Sequence, residues 1–217
     1  MKEGGKMEVY LVRHGETILN QFGKIQGWCD SFLTEKGKEQ AYLLAKKMED
    51  IKFDCFISSD SGRAIQTAKI ISMRNKKSLN FNVYPYHYFR EYYFGSFEAE
   101  KIETVWKPIL DYFGYKTMKE MEHRETMMTI MNTLKRFDPS AEAENHEDFW
   151  HRVDKGFENL LEQFESNSRI FLLSHENFIR SFKERYDKTY NLYDDIPILN
   201  VDVFRLFKCS GEIMIEF

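Results

Sequence analysis

The chain has 217 residues, of which 42% are hydrophobic and 30% charged, and its formal net charge is −4. This composition is typical of a globular protein rather than a disordered one, and the length is enough for one domain with a sizeable core. The acidic balance disfavours a general nucleic-acid binder. No apolar run approaches the roughly 18 residues of a membrane span, so no membrane association is expected.

The N-terminus and the cysteines both favour a cytoplasmic protein. The start, MKEGGKMEVY, has no apolar segment of the kind found in signal peptides, and we expect residues 1–7 to form a flexible leader. Cys29, Cys55 and Cys209 are widely spaced and odd in number. They therefore suggest neither a zinc site nor a disulfide framework.

The first predicted strand ends abruptly in polar residues. VYLV is apolar and β-prone, and RHGE follows it directly. Thr34 can then cap a helix through EKGKEQAYLLAKKMED, in which Leu43, Leu44 and Met48 are predicted to share one apolar face. DCFISSD predicts a second buried strand, and SGRAIQTAKIISM predicts the helix that follows it.

The middle of the chain mixes aromatic and helical segments. FNVYPYHYF is β-prone, with Pro85 expected to break it. Residues 100–140 look helical in two pieces, KIETVWKPILDYF and HRETMMTIMNTLKRF, and the second should stop at Asp138-Pro139. NHEDFWHRVDKGFENLLEQFES predicts a long amphipathic helix. Its apolar face would contain Phe149, Val153, Phe157, Leu160 and Phe164.

The C-terminal part repeats the opening pattern. RIFLLSHENFIRSF reads as a strand, a polar break at Ser174-His175 and a helix, and VDVFRLF with GEIMIEF predicts an edge hairpin. This alternation predicts a three-layer α/β/α sandwich, with a mostly parallel sheet and an antiparallel edge. We expect residues 1–217 to form one domain, with 100–140 as a helical insertion or lid over the active site.

Three strand ends carry unusual polar groups. Arg13 and His14 follow the first strand, Arg63 is placed one helical turn beyond the second, and His175 follows the last. Ligands bind such sheets at the carboxyl ends of the strands, so these groups would converge if the strands are neighbours. Arginines match phosphate oxygens, and a neutral imidazole can attack phosphorus. The second histidine, if protonated, would stabilise the equatorial oxygens.

A phosphoester also needs a proton donor, because its alkoxide is a poor leaving group. Glu91 lies among aromatic residues in FREYYFGSFEAE, where partial burial would raise its pKa and keep it protonated. The neighbouring acids Glu98, Glu100 and Glu103 are alternatives.

Other polar residues near these motifs receive simpler interpretations. Gly15 would remove a side chain where the backbone approaches the ligand. Glu16 is interpreted as a loop carboxylate. His146 and His151 are five positions apart, whereas two zinc ligands on one helix face are four apart, so both are interpreted as ordinary helix residues.

RHGET followed by Asn20 resembles the signature of the histidine phosphatase superfamily, which has the phosphoglycerate mutase-like fold. Further blocks follow in the same order as in that family, over roughly residues 8 to 182. These blocks are Gln26-Gly27 with LTEKGKEQA, SSDSGRAIQTA, FREYYFGSFE and LLSHENFIR. The fold of that family is therefore expected here.

The resemblance implies a role for each matching position. His14 would be the phosphorylated nucleophile and Glu91 the general acid, while Arg13, Arg63 and His175 would form the phosphate pocket. The candidate substrate-binding residues are Asn20, which would contact the phosphoryl oxygens, and Gln26, Gly27, Glu176 and Asn177. No metal and no cofactor is implied.

Two departures from the family pattern bear on specificity. Glu176 follows His175 where the family commonly has glycine; it either points outward at a helix start or faces the phosphate and pairs with a substrate cation. The arginines with which cofactor-dependent mutases grip the substrate carboxylate have no counterpart. Instead, YYFG follows Glu91, and an aromatic rim suits an uncharged or apolar leaving group.

The sequence thus predicts a metal-independent phosphomonoester hydrolase that acts on a small phosphorylated metabolite through a phosphohistidine on His14. One alternative is mutase-type phosphoryl transfer. The other, which Glu176 keeps open, is a catalytically weak member that binds phospholigands. The sequence specifies neither the substrate nor the oligomeric state.

Overall fold

The computed structural model describes residues 6–191, 201–209 and 212–217. Its strands are β1 (Met7–Arg13), β2 (Cys55–Ser59), β3 (Val83–Tyr86), β4 (Arg169–Ser174), β5 (Val201–Cys209) and β6 (Glu212–Glu216). They form one sheet in the order β3-β2-β4-β1-β5-β6. The first four strands in this order are parallel, whereas β5 and β6 run antiparallel to their neighbours. The predicted mostly parallel sheet and the terminal hairpin are both confirmed.

Helices cover both faces of this sheet. They are α1 (Ile18–Gln21), α2 (Glu35–Met48), α3 (Gly62–Ser72), α4 (Ile102–Phe113), α5 (Met118–Arg124), α6 (Met127–Phe137), α7 (His146–Gln163) and α8 (Glu176–Tyr186). Alternate residues of a strand point to opposite faces. Accordingly, Phe171 of β4 packs in a core with α2 and α3, whereas Leu172 packs in a core with α7 and α8. The predicted three-layer α/β/α arrangement is confirmed.

The start of α2 follows the sequence prediction, but its buried face does not. The Thr34 hydroxyl accepts a hydrogen bond from the Gly37 backbone nitrogen at 3.0 Å, as expected of an N-cap. Leu44 and Met48 are buried, but Leu43 is 59% exposed. One residue along a helix turns the side chain by about 100°, so Leu43 falls outside the stripe that faces the sheet.

Pro85 does not break the third strand. It lies within β3, paired in register with Ser58 of β2. Proline is tolerated there because β3 is at the edge of the sheet, where its missing N–H removes no central ladder bond.

The helical region between residues 100 and 140 contains one more helix than predicted. The additional helix, α5, lies mostly between the two predicted pieces and shares only His123 and Arg124 with the second. The second piece begins its own helix, α6, after Thr126, whose hydroxyl accepts a hydrogen bond from the Thr129 nitrogen. Helix α6 ends at Phe137, immediately before Asp138-Pro139, as expected. In the next helix, Phe164 lies one residue beyond the end of α7, yet it still packs against the core.

The predicted leader is too long by at least one residue. Met7 is buried and is the first residue of β1, because its side chain joins the core beneath the sheet. Residues 1–5 lie outside the described part of the chain. Within the described ranges, no helix is long and apolar enough to cross a membrane.

Candidate active site

The three predicted strand ends are neighbours, because β4 lies between β1 and β2. The structure therefore brings both histidines and both arginines to one edge of the sheet. The rings of His14 and His175 have their centroids 5.1 Å apart. Arg63 lies between them, with Nε 3.2 Å from Nε2 of His14 and Nη2 3.0 Å from Nδ1 of His175.

Arg63 is held almost rigidly. It is the second residue of α3, not one turn into it, and only 1% of it is exposed. Nη1 donates to the Cys29 carbonyl at 2.9 Å and to Asp30 Oδ1 at 3.1 Å, and Nη2 donates to the Gly27 carbonyl at 2.7 Å. These acceptors fix the plane of the guanidinium, so its position does not depend on a bound ligand.

His14 is a neutral imidazole whose tautomer is set by its own backbone. Nδ1 lies 2.8 Å from the Gly15 carbonyl oxygen, which can only accept, so Nδ1 carries the proton. Nε2 therefore holds the lone pair and accepts from Arg63. Burial, Arg63 and Arg13 hold the pKa of His14 well below its usual value. An unprotonated nitrogen such as Nε2 is the chemical requirement for a nucleophilic histidine.

His175 is also neutral in the free protein, so the protonated form considered in the sequence analysis is not its state before a ligand binds. Its pKa lies well below the usual value, because the ring is buried and Arg63 adds a nearby positive charge. Nδ1 accepts from Arg63, so Nε2 is the donor and faces the Ser61 hydroxyl at 3.4 Å. His175 is thus a neutral donor before any anion binds.

Glu91 lies against the first turn of α8. Its Oε2 accepts from the Asn177 nitrogen at 2.9 Å, and its Oε1 accepts from the nitrogens of Phe178 and Tyr92 at 3.0 and 3.1 Å. Burial raises its pKa to about 7, against the lowering effect of these donors. The predicted burial and raised pKa are confirmed.

Glu176 does not point outward. Its Oε2 pairs with Arg13 Nη2, and its Oε1 lies 3.3 Å from Arg180 Nη2. Arg180 is also 3.7 Å from Glu122 of α5. The carboxylate is thus already shared by two guanidiniums, which removes the support for a substrate cation at this position.

The remaining candidate residues contact protein groups. The side chain of Asn20 accepts from the Thr17 nitrogen at 3.2 Å and completes the capping box of α1. Gln26 accepts from the Thr17 hydroxyl at 2.5 Å. Gly27 offers its carbonyl to Arg63, and the backbone of Asn177 binds Glu91, so both position the central groups.

Gly15 is needed for a contact within the protein, and its approach to a ligand stays a prediction. A Cβ at Gly15 would lie 2.6 Å from the Gly37 carbonyl oxygen. The interpretation of Glu16 as a loop carboxylate is confirmed. It accepts from Thr34 Oγ1 at 2.9 Å and pairs with Lys36 Nζ at 2.8 Å.

The aromatic rim differs from the one expected. Tyr92 and Phe94 are buried in the core. Tyr93 instead meets Trp28 with ring centroids 5.0 Å apart, and the Arg90 guanidinium lies over the Trp28 ring at 4.6 Å. The Glu91 segment is thus flanked by a partly exposed group of Trp28, Tyr93 and Arg90, in which Trp28 Nε1 donates to the Glu91 carbonyl at 3.0 Å.

Sequence reasoning missed two residues that organise the loops. Glu98, considered only as a rival acid, accepts from the backbone nitrogens of Gly27, Trp28, Cys29 and Phe94 at 2.8–3.1 Å. Arg152 of α7 donates to the backbone around Glu91. The only sequence signal for Glu98 was its place in the FREYYFGSFE block, and a single arginine within α7 gave none.

The interpretation of His146 as an ordinary helix residue needs refinement. Its Nε2 accepts from Trp150 at 3.0 Å and its Nδ1 lies 2.9 Å from the Tyr92 hydroxyl, which in turn meets Ser181 at 2.9 Å. This partly buried chain of contacts joins α7 to α8. In the described ranges, no group of three His, Cys, Asp or Glu side chains could hold a metal ion.

Residues 9–206 match the family model of the histidine phosphatase superfamily (branch 1). The chain belongs to this superfamily. Over 66 residues, this superfamily member is 50% identical to the "Probable phosphoglycerate mutase GpmB" of Erwinia tasmaniensis, a match of 30% of the chain and 31% of the relative. The chain thus spans about a third of the length of the curated relatives it matches.

Solved structures extend the similarity to the whole superfamily fold. A phosphoglycerate mutase from Bacillus anthracis superposes with a TM-score of 0.85 at 28% identity, covering 99% of this chain and 93% of that one. A phosphoserine phosphatase from Entamoeba histolytica, in complex with 3-phosphoglyceric acid, gives a TM-score of 0.64 at 21% identity, with coverages of 96% and 94%. The latter shows the shared fold alone. Proteins named as mutases and as phosphatases thus share this architecture, so the fold does not choose between them.

Proposed function

We propose that this protein hydrolyses phosphomonoesters in two steps, through a phosphohistidine on His14 and without a metal ion. The observation that carries the proposal is the state of His14, a buried neutral imidazole whose Nε2 lone pair faces Arg63 at 3.2 Å. A neutral imidazole is a competent nucleophile toward phosphorus. Any phosphoryl group held by Arg63 would lie against that nitrogen.

In the first step, the phosphoryl oxygens replace the two imidazole nitrogens as acceptors for the Arg63 donors. Arg13 and His175 bind the same oxygens, and the positive charge offsets the charge that develops on them. A bond forms between Nε2 and phosphorus as the bond from phosphorus to the ester oxygen breaks. Glu91, whose pKa is about 7, gives its proton to the departing oxygen.

In the second step, water attacks phosphorus and the bond to Nε2 breaks. The Glu91 carboxylate takes the proton from that water, which restores the acid for the next cycle. His14 returns to its neutral state, and inorganic phosphate leaves.

The charges around the site favour hydrolysis over transfer to an acidic substrate. Arg90 is bound by Asp60 through two contacts of 2.6 Å, and Arg180 is bound by Glu176 and Glu122. A substrate carboxylate at either arginine would have to displace a protein carboxylate. An uncharged or apolar leaving group instead fits against Trp28 and Tyr93, so we propose a small phosphorylated metabolite of that kind as the substrate.

Mutase-type transfer is the second candidate. The observation that favours it is the naming of similar proteins, since both GpmB and the Bacillus anthracis structure are described as phosphoglycerate mutases. In that case the phosphoryl group on His14 would pass to a bound acceptor rather than to water.

One experiment separates these outcomes. The protein is incubated with p-nitrophenyl phosphate, quenched without acid and digested, and the phosphoryl group is located by mass spectrometry. In parallel, phosphate release is compared with phosphoryl transfer to added 3-phosphoglycerate. His14→Ala should abolish adduct and turnover, whereas the exposed His151→Ala serves as the matched control.

We expect an acid-labile adduct on the His14 peptide and release of phosphate to water. Transfer that outpaces release would establish the mutase. Binding of phosphate without an adduct or turnover would establish a phospholigand-binding member, and full activity of His14→Ala would refute the mechanism.

A further inference from the structure

Arg152 holds the segment that carries Glu91. This arginine lies on α7, away from the three strand ends, and its side chain is 12% exposed. Nη1 donates to the carbonyls of Tyr88 at 2.7 Å and Arg90 at 3.2 Å, and Nη2 donates to the carbonyl of Glu91 at 3.3 Å. One guanidinium therefore binds three carbonyls within four consecutive residues.

The guanidinium is itself fixed from the other side. Glu144 binds it through two contacts, with Oε1 3.0 Å from Nε and Oε2 2.7 Å from Nη2. This is the bidentate geometry that orients an arginine most firmly. The backbone nitrogen of Glu144 also donates to the Tyr93 carbonyl at 2.7 Å. Arg152 and Glu144 thus donate hydrogen bonds to the backbone on both sides of Glu91.

The segment around Glu91 needs these hydrogen bonds because it forms few regular backbone hydrogen bonds of its own. Glu91 lies between two short 3-10 helices, His87–Phe89 and Gly95–Phe97, and outside the strands of the sheet. Carbonyls in an irregular buried segment require donors from elsewhere in the protein. Arg152 supplies them for Glu91 and its neighbours, and Trp28 Nε1 adds one more bond to the Glu91 carbonyl at 3.0 Å.

We propose that Arg152 is a positioning residue for the general acid, so that its contacts with the backbone set where the Glu91 carboxyl meets the leaving-group oxygen. The proposal rests on the proposed function of Glu91. In the structure Arg152 donates hydrogen bonds to the backbone of the acid segment. Its effect on the phosphate pocket is one of charge alone, since Arg152 helps, less than Arg63 does, to lower the pKa of His175. Its removal should therefore impair proton donation and leave attack on phosphorus largely intact.

The leaving group provides the readout. An alkoxide needs the proton from Glu91, whereas p-nitrophenolate is stable enough to depart without it. Displacement of a catalytic group by about 1 Å costs on the order of 100-fold. A displaced Glu91 carboxyl therefore slows the hydrolysis of alkyl phosphates selectively, whereas a general loss of packing slows the hydrolysis of both substrates alike.

The test compares Arg152→Met and Arg152→Lys with the wild-type protein. The control is Arg185→Met, since Arg185 also contacts α7, at 3.2 Å from Asp154 and over the Trp150 ring at 4.2 Å, away from the Glu91 segment. For each protein, kcat/KM is measured with an alkyl phosphate and with p-nitrophenyl phosphate, and the thermal midpoint is recorded. Glu91→Gln is measured alongside as the reference for complete loss of the acid.

We expect Arg152→Met to lower kcat/KM by about 10- to 100-fold on the alkyl phosphate and by less than about 3-fold on the aryl phosphate. Arg152→Lys should not restore the alkyl activity, because one ammonium group cannot reproduce the planar fork. Arg185→Met should either change kcat/KM on both substrates by the same factor or leave it unchanged.

Equal losses on the two substrates, or a selective loss in the Arg185 control, would overturn the positioning role. If Arg152→Met does not fold, Arg152→Lys and Glu144→Gln decide the question by the same ratio. If Glu91→Gln lowers kcat/KM by the same factor on both substrates, the proposed function of Glu91 itself is refuted. A selective loss in Glu91→Gln without one in the Arg152 variants would refute only the inference about Arg152.

Discussion

The carboxylate of Glu176 bridges Arg13 and Arg180, so a built-in anion already occupies one side of the predicted phosphate pocket. The pair with Arg13 is only partly exposed, with 12% of the arginine side chain and 34% of the glutamate side chain accessible. Arg180 continues the contact to Glu122 on α5. The pocket is thereby joined to the helices of residues 100–140, and its positive charge is partly neutralised before a ligand arrives.

Replacing this anion should strengthen phosphate binding. In Glu176→Gln, the amide can still accept a hydrogen bond from Arg13 but no longer offsets its charge. We expect the inhibition constant of inorganic phosphate, measured in competition with p-nitrophenyl phosphate, to fall by about 3- to 10-fold, a modest change because the pair is partly screened. Glu122→Gln is the control, since it removes a charge 3.7 Å from Arg180 and leaves the pair between Glu176 and Arg13 in place. Weaker inhibition in Glu176→Gln would mean that the carboxylate positions Arg13 instead.

Glu91→Gln should slow substrates in proportion to their need for a proton. On alkyl phosphates we expect a decrease in kcat/KM of about 10²–10⁴-fold, the usual contribution of general acid–base catalysis. Aryl phosphates with acidic phenols should be affected much less. The measurement is kcat/KM across a series of leaving groups with increasing pKa, because kcat/KM reports the first step and not the hydrolysis of the phosphoenzyme that all substrates share. A uniform decrease over the series would assign the acid to another residue.

The pH dependence of the reaction should follow the same carboxyl group. The pKa of Glu91 in the free protein is about 7, above the usual value of a glutamate, so the protonated acid is present below pH 7 and is lost as the pH rises through 7. Because kcat/KM reports groups of the free enzyme, it should fall above about pH 7 for alkyl phosphates. Profiles for alkyl and aryl phosphates between pH 5 and 9 would check this. A plateau to pH 9 on alkyl phosphates would argue against Glu91 as the acid.

Activity should not require a metal ion. Arg13 and Arg63 lie beside His14 and can supply the positive charge that a metal would otherwise provide. We expect turnover to persist after treatment with EDTA and dialysis, with the metal content checked by elemental analysis. Loss of activity on chelation, followed by rescue with a divalent ion, would require a different mechanism.

Gly37→Ala should destabilise the fold through the contact behind His14. A Cβ at Gly37 would lie 2.1 Å from the Glu16 carbonyl oxygen, a backbone atom that cannot move aside. We expect a loss of about 2–4 kcal/mol in the free energy of unfolding, at or above the usual cost of overpacking. Gly114→Ala is the control, because its positive φ of 78° is strained but no atom lies within 4 Å of the added carbon; about 1–2 kcal/mol is expected there. Equal losses, measured by urea unfolding, would exclude the steric explanation.

Several features were predictable because neighbouring residues encode them. The apolar runs of β1 and β4 end at Arg13 and Ser174, and parallel strands deliver such ends to one edge of a sheet, so the placement of His14 and His175 at that edge followed from local pattern. The adjacency of β1 and β4, which brings the two rings together, is decided by the tertiary structure. The cap at Thr34 is equally local, since its hydroxyl contacts a residue three positions away.

Other features depend on residues distant in the chain, so no local pattern encodes them. Glu98 contacts Gly27 across 71 positions, and Arg152 contacts Tyr88 across 64. Gly15 is required by Gly37, a neighbour only after α2 packs against the loop. The sequence alone determined which polar groups end the strands, because strand periodicity and polar breaks are properties of adjacent residues. Only the tertiary structure decided the partners of Glu176, the burial of Tyr92 and the support of Glu91, because these arise when separate helices and loops pack together.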